Sequence, residues 1–465
     1  MPKIEKLNPA FAERTAYVCG EKSISYVRLY NRAEKAAALL KRQGKAPVAL
    51  LGNKSPEMLI SLLACVMARR AYVPLEDDLP RVRIASAIEQ AGCTLVLKNG
   101  AAEFCGDIPC STLEQLEHAP AEPKNSAAKN DTAYIIFTSG STGKPKGVPI
   151  SYENLENFVR WICSDSVLSE YDPPVVFNPA SFGFDLSVAG IYYSLAVGGT
   201  VVTVSREEQK SFDGIFAAIE KNKANIIVAT PTFIKLCLLN GDFREENFKS
   251  VGCCWFCGER LEKALCEKLF ARFPRLRIIN AYGPTEATCA VCSSEITPAD
   301  MEAGDPLPAG DISSAACEVR VENGEIVLSG KSVFCGYIGS AVKSGHIFST
   351  GDLGKIRNGK LYCAGRGGSR IKYKGFRIEL GDIEANILSV SGVTACAAAA
   401  KSGKNGETAY IKAFVAAEPE LSAEALRAEL KKLLPEYMIP KVIELLPKLP
   451  VNANGKIDRR LLERL

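Results

Sequence analysis

The chain has 465 residues, of which 47% are hydrophobic and 24% charged, and its formal net charge is +4. This length is too great for a single hydrophobic core and predicts at least two domains, while the ordinary composition excludes a disordered chain. The lysines and arginines are dispersed and form no basic stripe of the kind that nucleic-acid-binding proteins carry. A nucleic-acid partner is therefore not expected.

The cysteine content indicates the cellular compartment of the protein, and the histidine content excludes some catalytic mechanisms. The 17 cysteines lie mostly in apolar runs, as expected of buried free thiols. The N-terminal sequence has no apolar signal core, and no stretch approaches the length of a membrane span. These features predict a cytoplasmic protein without stable membrane insertion. Because only two histidines are present, His118 and His346, we expect neither a histidine base nor a multi-histidine metal site.

The first part of the chain alternates between amphipathic helices and short apolar strands. The periodicity predicts helices at residues 25–43, 56–70 and 80–92 and strands at 48–51 and 94–97. The alternation resumes further on, with helices at 185–196 and 212–221, helices that start at 232 and 261, and strands at 200–204, 226–229, 253–257 and 278–282. Continuous apolar strands between helices indicate parallel sheets that are covered on both faces.

The character of the sequence changes near residue 365. A β-rich stretch at residues 325–363 precedes a glycine-rich break, Gly365-Arg-Gly-Gly-Ser369, and a mixed pattern of strands and helices follows. We therefore predict an α/β large N-terminal domain, residues 1–365, with parallel, helix-covered sheets and a small β-rich subdomain. A smaller, mobile α+β C-terminal domain, residues 366–465, would follow a hinge at residues 366–368.

A loop dense in glycine, hydroxyl and lysine side chains follows the apolar strand at residues 134–137. It reads Thr138-Ser-Gly-Ser-Thr-Gly-Lys-Pro-Lys-Gly147. Glycines let backbone N–H groups approach phosphate oxygens, hydroxyls add donors, and lysine supplies charge, so the loop predicts a phosphate site. It is not a Walker A loop, which would need glycine at position 138 and serine or threonine at position 145. A flexible surface turn is the alternative.

This loop resembles the signature loop of the adenylate-forming superfamily, which includes acyl- and aryl-CoA ligases, luciferases and the adenylation domains of nonribosomal peptide synthetases. Each further block is weak alone, but the ordered set covers nearly the whole chain and is specific. The blocks are Ala71-Tyr-Val-Pro-Leu75, Phe184-Asp-Leu-Ser187, Asn280-Ala-Tyr-Gly-Pro-Thr-Glu286, Gly324-Glu-Ile-Val-Leu-Ser-Gly330, Ser349-Thr-Gly-Asp352, Gly365-Arg366, Lys374-Gly-Phe-Arg-Ile-Glu379, Pro435-Glu-Tyr-Met-Ile-Pro440 and Asn454-Gly-Lys-Ile-Asp-Arg459.

The resemblance implies ATP and Mg²⁺ as cofactors and assigns residues to them. Glu286 would bind the metal, Tyr282 would stack on adenine, and Asp352 would accept the ribose hydroxyls. Lys456, Lys146 and Thr285 are the implied catalytic residues. The implied ATP-binding residues are Thr138, Ser139, Gly140, Ser141, Thr142, Gly143, Lys146, Asn280, Ala281, Tyr282, Gly283, Thr285, Asp352, Arg366 and Lys456.

Adenylation joins a carboxylate oxygen to the α-phosphorus of ATP and releases pyrophosphate. The attacking group is already an anion, so the reaction needs charge neutralisation rather than a general base. By resemblance, Lys456 neutralises charge in the transition state. The small domain then rotates, Lys456 leaves the site, and a thiol acceptor approaches past residues 372–375. Outside this family, Asn-Gly-Lys would indicate only an exposed turn. The hinge departs from the family pattern Gly-Arg-x-Asp, because Gly368 replaces the side chain that could hold either conformation.

The substrate is indicated by Asp185 and by the residues that align with the family's pocket. In members that activate amino acids, an aspartate at this point pairs with the substrate ammonium; the alternative is a helix N-cap. The other aligned residues carry no charge and indicate a small or apolar amino acid. The implied substrate-binding residues are Asp185, Leu186, Ala189, Val228, Trp255, Cys257, Gly258, Ala281, Cys289 and Ala290.

The segments around Trp255 and Glu286 resemble family members that load D-alanine onto a carrier protein, in which a cysteine at the position of Cys257 crowds out the L-isomer. Ala189, Trp255 and Ala281 depart from those enzymes, so a related small amino acid remains an alternative. We expect transfer to the phosphopantetheine thiol of a carrier in trans, since the sequence up to Leu465 contains no carrier-like segment. The rival functions are an acyl- or aryl-CoA ligase and a degenerate nucleotide-binding partner protein.

A paired Cys-x2-Cys pattern offers a different hypothesis. Cys254 with Cys257 and Cys289 with Cys292 have the spacing of a zinc ribbon. Both pairs fall in or beside predicted buried strands, and the nucleotide block lies between them. A structural zinc site is therefore disfavoured.

Overall fold

A computed structural model of the protein describes residues 4–100, 106–117, 131–140, 143–340, 346–366, 370–403, 408–450 and 461–462. Its helices, numbered in chain order, are α1 Tyr26–Arg42, α2 Pro56–Met67, α3 Arg81–Ala91, α4 Leu113–Glu117, α5 Tyr152–Ile162, α6 Leu186–Val197, α7 Phe212–Lys221, α8 Pro231–Cys237, α9 Lys263–Arg272, α10 Pro298–Ala303, α11 Leu380–Leu388 and α12 Ala423–Leu433. Within the described ranges, every helix is too short or too polar to span a lipid bilayer.

The strands of these ranges form five sheets. In chain order they are β1 Thr15–Cys19, β2 Lys22–Ser25, β3 Val48–Gly52, β4 Tyr72–Glu76, β5 Leu95–Asn99, β6 Cys110–Thr112, β7 Thr132–Thr138, β8 Lys146–Ser151, β9 Val175–Phe177, β10 Thr200–Thr203, β11 Ile226–Ala229, β12 Cys253–Phe256, β13 Arg277–Tyr282, β14 Cys292–Glu295, β15 Gly310–Asp311, β16 Glu318–Glu322, β17 Glu325–Ser329, β18 Ile347–Arg357, β19 Lys360–Arg366, β20 Arg370–Tyr373, β21 Phe376–Glu379, β22 Val393–Ser402, β23 Thr408–Ala417 and β24 Val442–Leu445.

Two large sheets carry the α/β part. One has the strand order β14-β13-β12-β11-β9-β10-β1-β2 and the other β6-β5-β3-β4-β7-β8. The inner strands of the first sheet pair in parallel, whereas β2 and β14 at its edges run antiparallel. A third sheet, β15-β19-β18-β17-β16, forms the β-rich part. The predicted fold class, including parallel sheets covered by helices, is confirmed; the antiparallel edges are an addition.

Helix ends follow the local chemistry of the sequence. Ser55 accepts the Met58 N–H at the start of α2. Ser151 and Asn154 form a reciprocal capping box at the start of α5. Such caps satisfy N–H groups that have no partner inside the helix. The predicted helix at residues 212–221 matches α7, while the helix predicted to start at residue 261 begins at Lys263, and Leu261 is buried just before it.

The eight-stranded sheet separates two hydrophobic clusters, one on each face. Trp255 and Cys257 belong to one cluster, together with the buried residues of α6. Cys254 and Phe256 belong to the other, with buried residues of α7 and α9. Because side chains alternate across a strand, β12 contributes to both clusters. The face that carries Trp255 and α6 is also where the candidate substrate-binding residues lie.

The chain divides into two compact units. The first comprises residues 1–77, 90–136 and 148–365, and the second comprises residues 78–89, 137–147 and 366–465. Within the second unit, Arg83 pairs with both carboxylate oxygens of the buried Asp382 at 2.7 and 3.1 Å. Its own core contains the buried faces of α11, α12, β22 and β23. A two-point guanidinium–carboxylate pair fixes the orientation of both planes.

Candidate functional site

The block at residues 280–289 turns sharply at the end of β13. A Cβ atom at Gly283 would lie 2.4 Å from the Cα of Ala290, so only glycine fits there. Thr288 and Cys289 both have positive φ, 62° and 72°, which is strained for residues with side chains. The Thr288 hydroxyl donates to the Ser332 carbonyl at 2.8 Å and helps to hold this turn. The block is therefore shaped by tertiary contacts as well as by its sequence.

Asp185 and Thr285, which come from two different blocks, meet in the first unit. The Thr285 hydroxyl donates to Oδ2 of Asp185 at 2.6 Å, and both side chains are buried. Asp185 stands at the N-cap position of α6, but its side chain makes no capping hydrogen bond. The N-cap position is therefore confirmed, but this carboxylate does not cap the helix. A buried carboxylate at this position is suited to pair with a cation.

Apart from Gly258, the residues predicted to line the substrate pocket beside Asp185 are buried in one hydrophobic cluster. The Cys257 thiol lies 3.7 Å from the Cys289 carbonyl oxygen, to which it donates. The hydrogen bond with Cys257 and burial both raise the pKa of the Cys289 thiol, so the thiol carries no charge near neutral pH. Gly258 is half-buried, and the buried members of the set are Leu186, Ala189, Val228, Trp255, Cys257, Ala281, Cys289 and Ala290.

The geometry argues against a zinc ribbon. Cys254 and Cys257 pack into hydrophobic clusters on opposite faces of the eight-stranded sheet. Four thiolates around one zinc ion must converge on a single point, which these two cannot do. The second pair, Cys289 and Cys292, belongs to the same cluster as Cys257 and packs as buried apolar side chains.

A direct hydrogen bond joins Tyr282 and Asp352, the predicted adenine and ribose contacts. The Tyr282 hydroxyl donates to Oδ2 of Asp352 at 2.8 Å. Burial raises the pKa of Tyr282 well above its usual value, and the charge of Asp352 adds to the effect, so the phenol remains a donor. Asp352 lies in β18, where its backbone N–H donates to the Thr350 hydroxyl at 3.0 Å. Nearby, the Asn280 side chain donates to the Pro308 carbonyl at 2.8 Å.

Glu286, the predicted metal ligand, is 1% exposed. Its Oε1 accepts a hydrogen bond from the Tyr337 hydroxyl at 2.6 Å, and its backbone carbonyl accepts from the Phe334 N–H at 2.8 Å. Mg²⁺ in nucleotide sites commonly takes one or two carboxylates together with substrate phosphates and water. A single buried carboxylate therefore fits the metal. Tyr337 is not predicted from the sequence, since no spacing signal links it to Glu286.

The predicted phosphate loop lies in the second unit, between β7 and β8. It is followed by a strand and not by a helix, which separates it from a Walker A loop, as predicted. A Cβ at Gly140 would lie 2.1 Å from the Lys144 carbonyl oxygen, and Gly143 has a φ of 81°. The Ser139 hydroxyl donates to the Arg377 carbonyl at 2.8 Å and accepts from the Glu379 N–H at 2.9 Å.

The remaining predicted residues are described only in part. Thr138 ends β7, Lys146 begins β8, and Arg366 ends β19. Ser141, Thr142, Gly368 and Lys456 lie outside the described residues. Their predicted roles stay predictions.

Comparison with known proteins extends these observations. The family model described as AMP-binding enzyme matches residues 5–338, and that described as AMP-binding enzyme C-terminal domain matches residues 382–456. The D-alanine–D-alanyl carrier protein ligase of Bacillus velezensis is 35% identical over 94% of this chain and 93% of its own length. The enzyme of the same name from Bacillus licheniformis is 34% identical over 99% and 98%.

Solved structures show the same fold. The o-succinylbenzoate CoA synthetase of Bacillus subtilis superposes with a TM-score of 0.84 at 22% identity, over 100% of this chain and 99% of its own. An adenylation domain from Vibrio cholerae, solved in complex with glycyl-adenosine-5′-phosphate, has a TM-score of 0.82 at 23% identity, over 98% and 95%. The family models, the full-length relatives and the shared fold agree, and the chain therefore belongs to the AMP-binding enzyme family.

Proposed function

We propose that this enzyme activates a small amino acid, with D-alanine favoured, as aminoacyl-AMP and transfers it to the phosphopantetheine thiol of a separate carrier protein. The observation that carries the proposal is the buried Asp185, which accepts a hydrogen bond from the Thr285 hydroxyl. The full-length relatives named D-alanine–D-alanyl carrier protein ligase support the choice of substrate and acceptor. The abundance of free thiols fits a cytoplasmic setting.

The proposed reaction has two steps. The substrate carboxylate attacks the α-phosphorus of ATP, which forms aminoacyl-AMP and releases pyrophosphate. The carrier thiol then attacks the acyl carbon, forms the thioester and releases AMP. Asp185 would hold the substrate ammonium, while Tyr282 and Asp352 would hold the nucleoside. When bound at Glu286, Mg²⁺ would supply positive charge to the phosphates.

We propose that residues 1–365 form the nucleotide- and amino-acid-binding domain and residues 366–465 a lid that carries Lys456. The change of compact unit after Gly365 supports this boundary. Ser139, Thr142 and Lys146 would bind the leaving pyrophosphate. Because the Ser139 hydroxyl is already bonded to the backbone of β21, phosphate binding at this hydroxyl would compete with those bonds.

Substrate preference is tested by ATP–pyrophosphate exchange with D-alanine, L-alanine, glycine and benzoate. We expect D-alanine to give the highest kcat/KM, about tenfold or more above L-alanine, because a misplaced methyl group costs 1–3 kcal/mol in a close-fitting pocket. Benzoate, which lacks an ammonium for Asp185, should give no exchange above background. Exchange with benzoate alone would instead identify an aryl-CoA ligase, and a higher rate with glycine would favour the smaller amino acid.

The hydroxyl of Tyr282 is expected to support nucleotide binding through Asp352. Tyr282→Phe removes the 2.8 Å hydrogen bond and keeps the ring. The KM for ATP should rise by roughly tenfold, since a hydrogen bond to a charged group contributes about 1.5 kcal/mol. The KM for D-alanine should not change. Tyr193→Phe, which removes a hydroxyl bonded to the Leu168 carbonyl, is the matched control. An unaltered KM for ATP would refute this role.

A further inference from the structure

Residues 331–337, here termed the clamp segment, make three hydrogen bonds to the turn that carries Glu286. The Phe334 N–H donates to the Glu286 carbonyl at 2.8 Å, and the Thr288 hydroxyl donates to the Ser332 carbonyl at 2.8 Å. The third bond runs from the Tyr337 hydroxyl to Oε1 of Glu286, at 2.6 Å. Glu286 is thus held at its backbone and at its carboxylate by the same segment.

The clamp segment is itself fixed from α5. The Asn154 side chain donates to the carbonyls of Lys331 and Val333 at 2.7 and 3.1 Å. The Asn157 side chain donates to the Ser332 hydroxyl at 2.8 Å. Six hydrogen-bonding groups of the segment therefore have defined partners, either on α5 or on the Glu286 turn. A segment held in this way can set the direction of a side chain that it carries.

Aromatic packing fixes the ring of Tyr337 independently of its hydroxyl. The Phe334 ring contacts the Tyr337 ring edge to face, with centroids 5.0 Å apart, and contacts the Phe348 ring in the same manner at 5.5 Å. Edge-to-face pairs of this kind are individually favourable. The ring position therefore does not depend on the bond to Glu286, and removal of the hydroxyl alone should leave the ring in place.

We propose that Tyr337 is a positioning residue that orients the Glu286 carboxylate for the metal. A hydrogen bond to an ionised carboxylate is short and strong, and partners of this kind tune the metal affinity of the ligand that they contact. The inference rests on the proposed metal role of Glu286 and adds a residue to it. Tyr337 acts through Glu286 and not by direct contact with the metal or the substrate.

The test uses the full-length enzyme with Tyr337→Phe. Mn²⁺ binding in the presence of α,β-methylene-ATP, measured by electron paramagnetic resonance, should weaken by about tenfold, the lower end of the range for loss of such a partner. In ATP–pyrophosphate exchange, the half-saturating Mg²⁺ concentration should rise by about the same factor, and excess Mg²⁺ should restore most of the rate. The KM for D-alanine should not move.

Two further variants separate this inference from the proposed function. Glu286→Gln should remove most of the Mn²⁺ binding; if it does not, the metal assignment itself fails. In the Glu286→Gln background, adding Tyr337→Phe should have no further effect on metal affinity, whereas a general structural defect would add to the loss. Tyr30→Phe, which removes a hydroxyl bonded to the Ile4 carbonyl, is the control. If Tyr337→Phe binds Mn²⁺ like the wild type while Glu286→Gln does not, the role of Tyr337 alone is refuted.

Discussion

Replacement of Asp185 by alanine is expected to lower kcat/KM for D-alanine by roughly 100-fold or more. The carboxylate is buried and bonded to Thr285, and its loss would leave the substrate ammonium without a charged partner. Truncation of one member of a buried charge pair costs about 2–5 kcal/mol, and about 3 kcal/mol corresponds to this factor. Steady-state ATP–pyrophosphate exchange measures the effect.

The controls for Asp185→Ala are a substitution outside the proposed site and a kinetic constant that Asp185 should not affect. Asp107→Ala removes an exposed aspartate and should behave as the wild type. The KM for ATP should stay within about threefold of its wild-type value, because Asp185 is assigned to the amino acid and not to the nucleotide. If Asp185→Ala retains the wild-type KM and kcat for D-alanine, the ammonium role is wrong, and the CoA ligase hypothesis gains weight.

Replacement of Lys456 by alanine is expected to reduce the rate of adenylation by about 100- to 1000-fold. This is the usual loss when one group that stabilises transition-state charge is removed. Single-turnover formation of D-alanyl-AMP, followed by rapid quench, should show the decrease in the first step. The transfer of D-alanine from preformed D-alanyl-AMP to the carrier thiol should be largely retained, because Lys456 is proposed to leave before that step.

Lys448→Ala is the matched control for this prediction, since Lys448 is an exposed lysine of the same C-terminal region. It should adenylate D-alanine at the wild-type rate. Full adenylation activity in Lys456→Ala would contradict the assignment of the catalytic lysine. Equal losses in both steps would indicate a general defect in residues 366–465 instead.

Much of the fold could be predicted from periodicity. The helix predicted at residues 25–43 is α1, Tyr26–Arg42, whose buried residues recur every three or four positions. The strands around it were harder to predict. The hairpin of β1 and β2 is not predicted, because its strands, five and four residues long, are too short to show a clear alternation of apolar and polar residues. Helix α5 was also missed, although Ser151 and Asn154 at its start form a capping box that the sequence displays.

The sequence by itself determined the family and the chemical types of the site. The ordered blocks, the phosphate loop and the near absence of histidine all follow from residue identity and order. These features are local, since each depends on a few consecutive residues. They were sufficient to predict an adenylating enzyme that uses ATP and Mg²⁺ and acts on a small amino acid.

Only the tertiary structure decided which of these residues contact one another. Asp185 and Thr285 lie 100 residues apart in the chain, Tyr282 and Asp352 lie 70 apart, and Glu286 and Tyr337 lie 51 apart. No helical or strand period extends over such separations, because periodicity reports only which face of one element is buried. The side-chain pairs depend instead on how strands from different sheets and the loops between them pack. The role proposed for Tyr337 therefore could not be predicted before the fold was known.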